Sequence, residues 1–138
     1  MKIRQDFITN SSSTSFIISL KDDWNEKRFY KSIGLLDDTA LRSIFVDLYN
    51  IIDHNKEEIT TYIKKYYPDK KTVERFLSSL NYSKDVIEKV SKLIQEGQTV
   101  YFGELSSDNG ESIEAFFCME SFLVCDDDIY FNGQNAVW

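Results

Sequence analysis

The sequence of 138 residues predicts an α+β domain with one antiparallel or mixed sheet. Residues 14–20 are rich in β-branched and aromatic side chains, as strands are, and apolar residues then recur at helical spacing between residues 24 and 94. Beyond Gly97 strand patterns return, within residues 99–132. One strand, a central block of about four to five helices and several further strands favour α+β over a regularly alternating parallel sheet. We expect residues 1–138 to form a single domain.

The central block begins with two helices. We expect the first over residues 24–33, with Asp22 or Asp23 as its N-cap and Gly34 near its end. The second follows an N-cap at residues 37–38, and its apolar side chains fall at helical spacing on one face. These side chains are Leu41, Ile44, Phe45, Leu48, Ile51 and Ile52.

Three shorter helices complete the block. Residues 59–66 place Tyr62 and Tyr66 on an apolar stripe, and this helix stops where Pro68 disfavours helix at the residue before it. Residues 73–80 form a short amphipathic helix. Ser83 caps a helix whose buried stripe reaches Ile94, and Gly97 ends it in the left-handed conformation that glycine tolerates.

The last third of the sequence predicts strands around one further helix. The first strand should join their sheet, and the tail from Gly133 should pack through Val137 and Trp138. A turn at residues 106–110 and a short helix over residues 111–120 separate the first of these strands from the others. The expected strands are residues 99–105, 122–125 and 129–131, the last two joined by residues 126–128.

Charge is distributed unevenly along the chain. Residues 1–92 carry sixteen basic and fourteen acidic side chains, whereas residues 93–138 carry nine acidic side chains and no basic one. The longest apolar runs are only a few residues, far below the roughly 20 of a spanning helix, and no apolar segment follows Lys2 and Arg4 as in an export signal. We therefore expect a cytoplasmic protein, with Cys118 and Cys125 as buried free thiols.

The polar run from Asn10 to Ser15 is the first candidate site. Its side chains compete for backbone hydrogen bonds, so we expect residues 1–13 to form a loop that leads into the first strand. The run lacks the glycines of a phosphate loop, and the sole histidine, His54, has no motif linking it to these serines. The residues retained as a possible interaction site are Asn10, Ser11, Ser12 and Ser13.

Two charged segments are further candidates. Asp126, Asp127 and Asp128 fail the calcium-loop pattern, so we interpret them as a solvated turn that contacts a partner, and we predict neither metal nor cofactor. The stretch Lys64–Lys71 mixes bases with aromatics, as nucleic-acid contacts do. We do not expect nucleic-acid binding there, because its tyrosines belong to the helix stripe and the chain as a whole is acidic.

The N-terminal residues also carry a resemblance. Met1–Arg4, Phe7–Ile8 and Asn10–Ile17 resemble the start of many small proteins of Firmicutes and their phages, in which Phe-Val/Ile-Ser/Thr-Asn precedes several serines and Phe-Ile/Val. Thr14 interrupts the serines here. The resemblance implies a bacterial or phage source, with the bacterial or host cytoplasm as location. It carries no established activity and no catalytic residue.

We therefore expect a non-enzymatic protein-interaction domain whose acidic C-terminal third binds a partner with a basic surface. Two alternatives stay open. One is an acidic inhibitor that mimics nucleic acid and blocks a host defence enzyme. The other is a hydrolase or transferase that uses the serines of residues 11–15, although the sequence contains no nucleophile motif and enzymatic activity is the minority interpretation.

Overall fold

A computed structural model describes residues 12–21, 24–33, 42–106, 122–125 and 128–137. Their strands form one five-stranded sheet in the order β2-β3-β1-β5-β4, and every neighbouring pair is antiparallel. The α+β class with an antiparallel sheet is thus confirmed. The strands are β1 (Ser12–Leu20), β2 (Glu57–Glu58), β3 (Tyr101–Ser106), β4 (Phe122–Cys125) and β5 (Ile129–Val137).

The first strand is the centre of the sheet. It pairs with β3 on one side and with β5 on the other, so the prediction that it joins the later strands is confirmed. Phe16, Ile17 and Ile18 are all fully buried, although consecutive strand residues point to opposite faces. The sheet is therefore covered on both faces, which explains why the apolar run of β1 is continuous rather than alternating.

Helices cover the two faces of this sheet. The described helices are α1 (Glu26–Ser32), α2 (Arg42–Asn55), α3 (Ile59–Tyr66), α4 (Val73–Ser79) and α5 (Lys84–Gln95). Phe16 and Ile18 pack in one core with side chains of α1 and α2, whereas Ile17 packs in a second core with α3, α4 and α5. The result is three layers, with the antiparallel sheet in the middle.

The cap of α5 follows the sequence prediction, but that of α1 does not. Ser83 accepts a hydrogen bond from Val86 N at 3.4 Å as the predicted cap of α5, and Gly97 after it has φ +87°. The cap of α1 is Asn25, whose side chain accepts from Arg28 N at 3.1 Å, so the expectation of Asp22 or Asp23 is wrong. Because Asn25 is the extended residue directly before the first helical turn, its oxygen reaches that amide.

Other boundaries also differ from the sequence patterns. β1 begins at Ser12, two residues before the expected start. Ser12 pairs with Val137 and Ser13 pairs with both Ser106 and Ala136, and this pairing outweighs the loop preference of serine. The expected tail from Gly133 instead continues β5 as far as Val137. The strand β2 has no sequence signal, since two residues are too short for a pattern. The predicted helix 111–120, most of the turn at residues 106–110, the second helix's cap at residues 37–38, Gly34, Cys118 and Trp138 lie outside the described residues.

Candidate functional site

The two predicted interaction segments lie at opposite ends of β1. Ser12 and Ser13 begin the strand, where Ser13 lies between Ser106 and Ala136 in the register. Asp128 lies at its other end, where its carbonyl accepts from Lys21 N at 2.9 Å. Nine strand residues separate these ends by roughly 25 Å. They are therefore two places rather than one site, and Asn10, Ser11, Asp126 and Asp127 lie outside the described residues.

Ser15 belongs to a row of polar side chains that crosses the sheet, which we call the polar row: Glu104, Ser15 and Gln134. All three point toward the layer of α3, α4 and α5. Each is tied to that layer by a hydrogen bond. Tyr62 Oη donates to Glu104 Oε1 at 3.2 Å, the hydroxyls of Ser15 and Tyr82 lie 2.6 Å apart, and Gln134 Nε2 donates to the Leu80 carbonyl at 2.8 Å.

The polar row anchors the turn between α4 and α5. Two of its contacts reach residues of this turn, Leu80 and Tyr82, and between them Asn81 has φ +67°, a left-handed conformation that asparagine tolerates better than most residues. Tyr82 N donates back to the Leu77 carbonyl at 3.1 Å. The polar row thus fixes the position of α4 and α5 on the sheet.

The chemistry of the polar row does not activate Ser15 as a nucleophile. Burial raises the pKa of the Tyr82 hydroxyl by more than the hydrogen bond with Ser15 lowers it, so at neutral pH this hydroxyl is a neutral phenol and does not accept the serine proton. His54 is on α2, in the layer against the opposite face of the sheet. Within the described residues Ser15 therefore has no histidine beside it.

The strand β4 is the second candidate site. It is an outer strand of the described sheet, paired with β5 only, and it contains neither charge nor proline. Leu123 is 59% exposed and Val124 is 36% exposed. Cys125 is a free thiol as predicted, but it is exposed rather than buried because the outer strand leaves it uncovered. We call residues 122–125, together with Asp128 directly before β5, the β4 edge.

A polar cavity of about 160 Å³ lies beside the β4 edge, between the end of α5 and the start of β5. Tyr130 lines it and pairs with Cys125 in the register. Glu96 and Asp128 supply two carboxylates against one ammonium, that of Lys89, so the lining has an excess of one negative charge. The cavity thus brings a second carboxylate, that of Glu96, to the same place as Asp128 on the α5 face of the sheet.

Neither the polar row nor the cavity could be derived from sequence spacing. Ser15 and Tyr82 are 67 residues apart, and Glu96 is more than thirty residues from Asp128. The one available signal for the β4 edge was the uncharged run FLVC directly before three aspartates. Such a run identifies a strand but does not say whether the strand is central or outer.

Within the described ranges, no group of three or more His, Cys, Asp or Glu side chains is arranged to hold a metal ion. None of the helices in this part of the chain is long and apolar enough to cross a membrane. Comparison of the chain with protein-family models, with curated proteins and with solved structures found no match.

Proposed function

We propose that this protein is a non-enzymatic interaction module, and that its β4 edge binds an extended, basic segment of a partner protein. One observation carries the proposal: among the described strands β4 is an outer one, it exposes Leu123 and Val124, and it carries no protective charge or proline. The unpaired backbone N–H and C=O groups of such a strand can hydrogen-bond to one more strand. Natural proteins usually block these groups when no partner exists.

The expected partner is basic because of the charges around the edge. Asp126, Asp127 and Asp128 follow β4 directly, and the neighbouring cavity adds the carboxylate of Glu96. A strand added next to β4 would lie two strand spacings, about 10 Å, from β5. Every second side chain of this strand would point to the face of the sheet that α5 covers. Only long side chains reach the cavity from there, and lysine and arginine complement its charge. Pairing of two β4 strands from identical chains would instead bring like charges together.

The test is a titration of the ¹⁵N-labelled protein with an alternating Lys-Val heptapeptide, followed by amide chemical shifts. We expect shifts concentrated in residues 122–133, slower hydrogen exchange of the outward amides of β4, and binding that weakens as salt is added. An alternating Glu-Val heptapeptide serves as the control for charge. Equal binding of both peptides, or shifts confined to other parts of the chain, would contradict the proposal.

Variants separate the edge from the overall charge. Leu123→Lys with Val124→Lys should weaken peptide binding at least about tenfold, because the new charges repel the peptide and remove apolar contact. Neutralising Asp126, Asp127 and Asp128 together should weaken it at low salt. The matched control removes three exposed carboxylates elsewhere, by Asp47→Asn, Asp85→Asn and Glu88→Gln. If this control weakens binding equally, the peptide responds to net charge and not to the β4 edge.

A further inference from the structure

The exposure of Tyr66 departs from the sequence pattern. Its spacing places it on the apolar stripe of α3 with Tyr62, yet its side chain is 54% exposed. The Tyr66 ring lies at the C-terminal end of α3, with its centroid 4.8 Å from that of the Tyr62 ring. Lys65 Nζ lies 5.2 Å from the centroid of the Tyr66 ring. The expectation that both tyrosines are covered by the protein is therefore wrong for Tyr66.

The sequence around this exposed ring is rich in basic residues. Residues 64–75 contain five basic and two acidic side chains, in a chain whose total charge is −7. We call the following residues the tyrosine surface: Lys64, Lys65, Tyr66, Lys70, Lys71 and Arg75. Lys64, Lys65, Lys71 and Arg75 are exposed, and Lys70 is half-buried.

The contact between α3 and α4 keeps the two parts of the tyrosine surface close together. The ring of Tyr67 lies 5.1 Å from that of Phe76 on α4, and Lys70 N donates to the Tyr67 carbonyl at 2.9 Å. Directly beside this turn an open groove of about 450 Å³ is lined by Lys70, Arg75, Ser78 and Ser79, together with Asp69 and Glu74. Lys70 and Arg75 therefore belong both to the tyrosine surface and to this groove, in which two carboxylates balance them.

The two carboxylates of the groove already have partners inside the protein. Asp69 Oδ2 lies 3.8 Å from Lys70 Nζ, and Glu74 Oε2 accepts from the Ser91 hydroxyl at 2.9 Å. Lys65 lies 3.7 Å from Glu57 across an exposed pair that water screens. These contacts leave the net charge of the tyrosine surface positive, although the protein as a whole is acidic.

We infer that the tyrosine surface binds single-stranded nucleic acid, with a base stacked on Tyr66 and the backbone phosphates following the lysines and Arg75. An exposed aromatic ring with lysines close to it is the combination that sequence-independent single-strand binding uses, because every base offers a flat face and every phosphate a charge. The acidic C-terminal third lowers the affinity through long-range repulsion, so binding is strongest at low salt. This inference does not rest on the proposed β4 edge.

The test measures fluorescence anisotropy of a fluorescein-labelled fifteen-nucleotide oligothymidine with the full chain, in low and in physiological salt. Tyr66→Ala should weaken binding of the oligonucleotide about fivefold or more. Tyr66→Phe should bind it as the parent protein does, because stacking needs the ring and not the hydroxyl. Lys64→Gln with Lys65→Gln should lower the salt slope by about 1.4. An abasic strand of equal length should bind Tyr66→Ala and the parent protein equally.

The matched control for charge is Lys27→Gln with Lys31→Gln, which removes two exposed cations from α1 on the opposite face of the sheet. It should leave the oligonucleotide affinity within twofold of the parent. The inference is overturned if the parent protein does not bind in low salt, if Tyr66→Ala binds as the parent does, or if the control pair weakens binding as much as the α3 pair. Circular dichroism confirms that each variant folds, as expected for exposed positions.

Discussion

The two outer strands of the described sheet differ in how they end it. β2 has only two residues, both glutamates, and Ile59 N next to it bonds the Val100 carbonyl at 2.9 Å as α3 begins. β4 has four residues, none charged, and exposes Leu123 and Val124. Short, charged strands that run into a helix resist further pairing, whereas an apolar outer strand invites it. The β2 side thus closes the described sheet, whereas β4 leaves its outer backbone groups without a described strand beside them.

The β2 side depends on a close approach of α2 to β3 at Gly103. A Cβ atom at this position would lie 2.5 Å from the Asn55 carbonyl oxygen and 2.5 Å from Phe16 Cζ. The first neighbour is backbone and the second is a fully buried ring, so neither can move away easily. Gly103→Ala should lower the free energy of unfolding by about 3 kcal/mol or more.

Urea denaturation measures this effect, with Glu104→Ala on the same strand as the control. Glu104 is exposed, and its loss removes one hydrogen bond, that from Tyr62, so we expect about 1 kcal/mol or less. If Gly103→Ala unfolds at the same urea concentration as the parent protein, α2 does not lie against β3 as described, and the β2 side is less closed than the comparison requires.

The N-cap of α3 is a second feature that stabilises the β2 side of the sheet. Glu58 accepts backbone hydrogen bonds from Thr60 N and Thr61 N at 3.0 Å, and both threonine hydroxyls donate to it as well. Partial burial opposes ionisation, but these four donors outweigh it and hold the pKa of Glu58 below its ordinary value. Glu58→Ala should therefore lower the free energy of unfolding by about 1 kcal/mol at neutral pH.

The stabilisation by Glu58 should decrease as the pH is lowered. Because the folded pKa is lowered, the contribution of Glu58 is fully present above pH 4.5, its ordinary value, and is lost as the pH falls through the folded value. Urea midpoints of the parent protein and Glu58→Ala should converge in that acidic range. Glu57→Gln, which loses only the exposed pair with Lys65, should show a much smaller difference at neutral pH. A constant difference at all pH values would show that Glu58 acts through packing and not as an ionised cap.

Tyr62 connects the same side of the sheet to α3. Burial and the neighbouring carboxylate of Glu104 raise the pKa of its hydroxyl above the ordinary value of 10.0. The stability that this shift represents is present below pH 10.0 and is lost as the pH rises toward the folded pKa. Tyr62→Phe should be less stable than the parent protein by under about 1 kcal/mol at neutral pH, and this deficit should shrink above pH 10.0.

Urea midpoints at neutral pH and above pH 10.0 measure this change, with Tyr66→Phe on the same helix as the control. The hydroxyl of Tyr66 has no hydrogen bond across the sheet among the described contacts, and the ring is exposed, so we expect a smaller change. If the deficit of Tyr62→Phe grows at alkaline pH, the hydroxyl ionises more easily in the folded protein than in the unfolded chain.

The sequence predicted the elements of the fold better than it predicted its edges. The burial of Phe16, Ile17 and Ile18 and the helices after them follow from local apolar patterns, and the structure contains them. Strand order is different, because pairing between residues far apart leaves no local pattern. Thus β2 was missed, and nothing in the run FLVC distinguishes an outer strand from a central one.

The sites show the same limit. Ser15 was a candidate because of its neighbours in the sequence, but its contact with Tyr82 depends on how α4 and α5 lie on the sheet. Tyr66 has the spacing of a core residue, yet α3 ends beside it and no described element covers its ring. Helical periodicity identifies which residues share a face of a helix. It does not identify where that face leaves the protein.

The smallest expected effect on stability belongs to the β4 edge, and it is the most direct test of the comparison. Leu123→Lys and Val124→Lys replace side chains that are already exposed, on a strand paired only with β5. Each should change the free energy of unfolding by less than about 0.5 kcal/mol. The double variant should still weaken binding of the basic heptapeptide at least about tenfold, so binding and stability separate at this edge. A loss of several kcal/mol would instead show that Leu123 and Val124 are covered by the protein itself, and that β4 serves to close the sheet as β2 does.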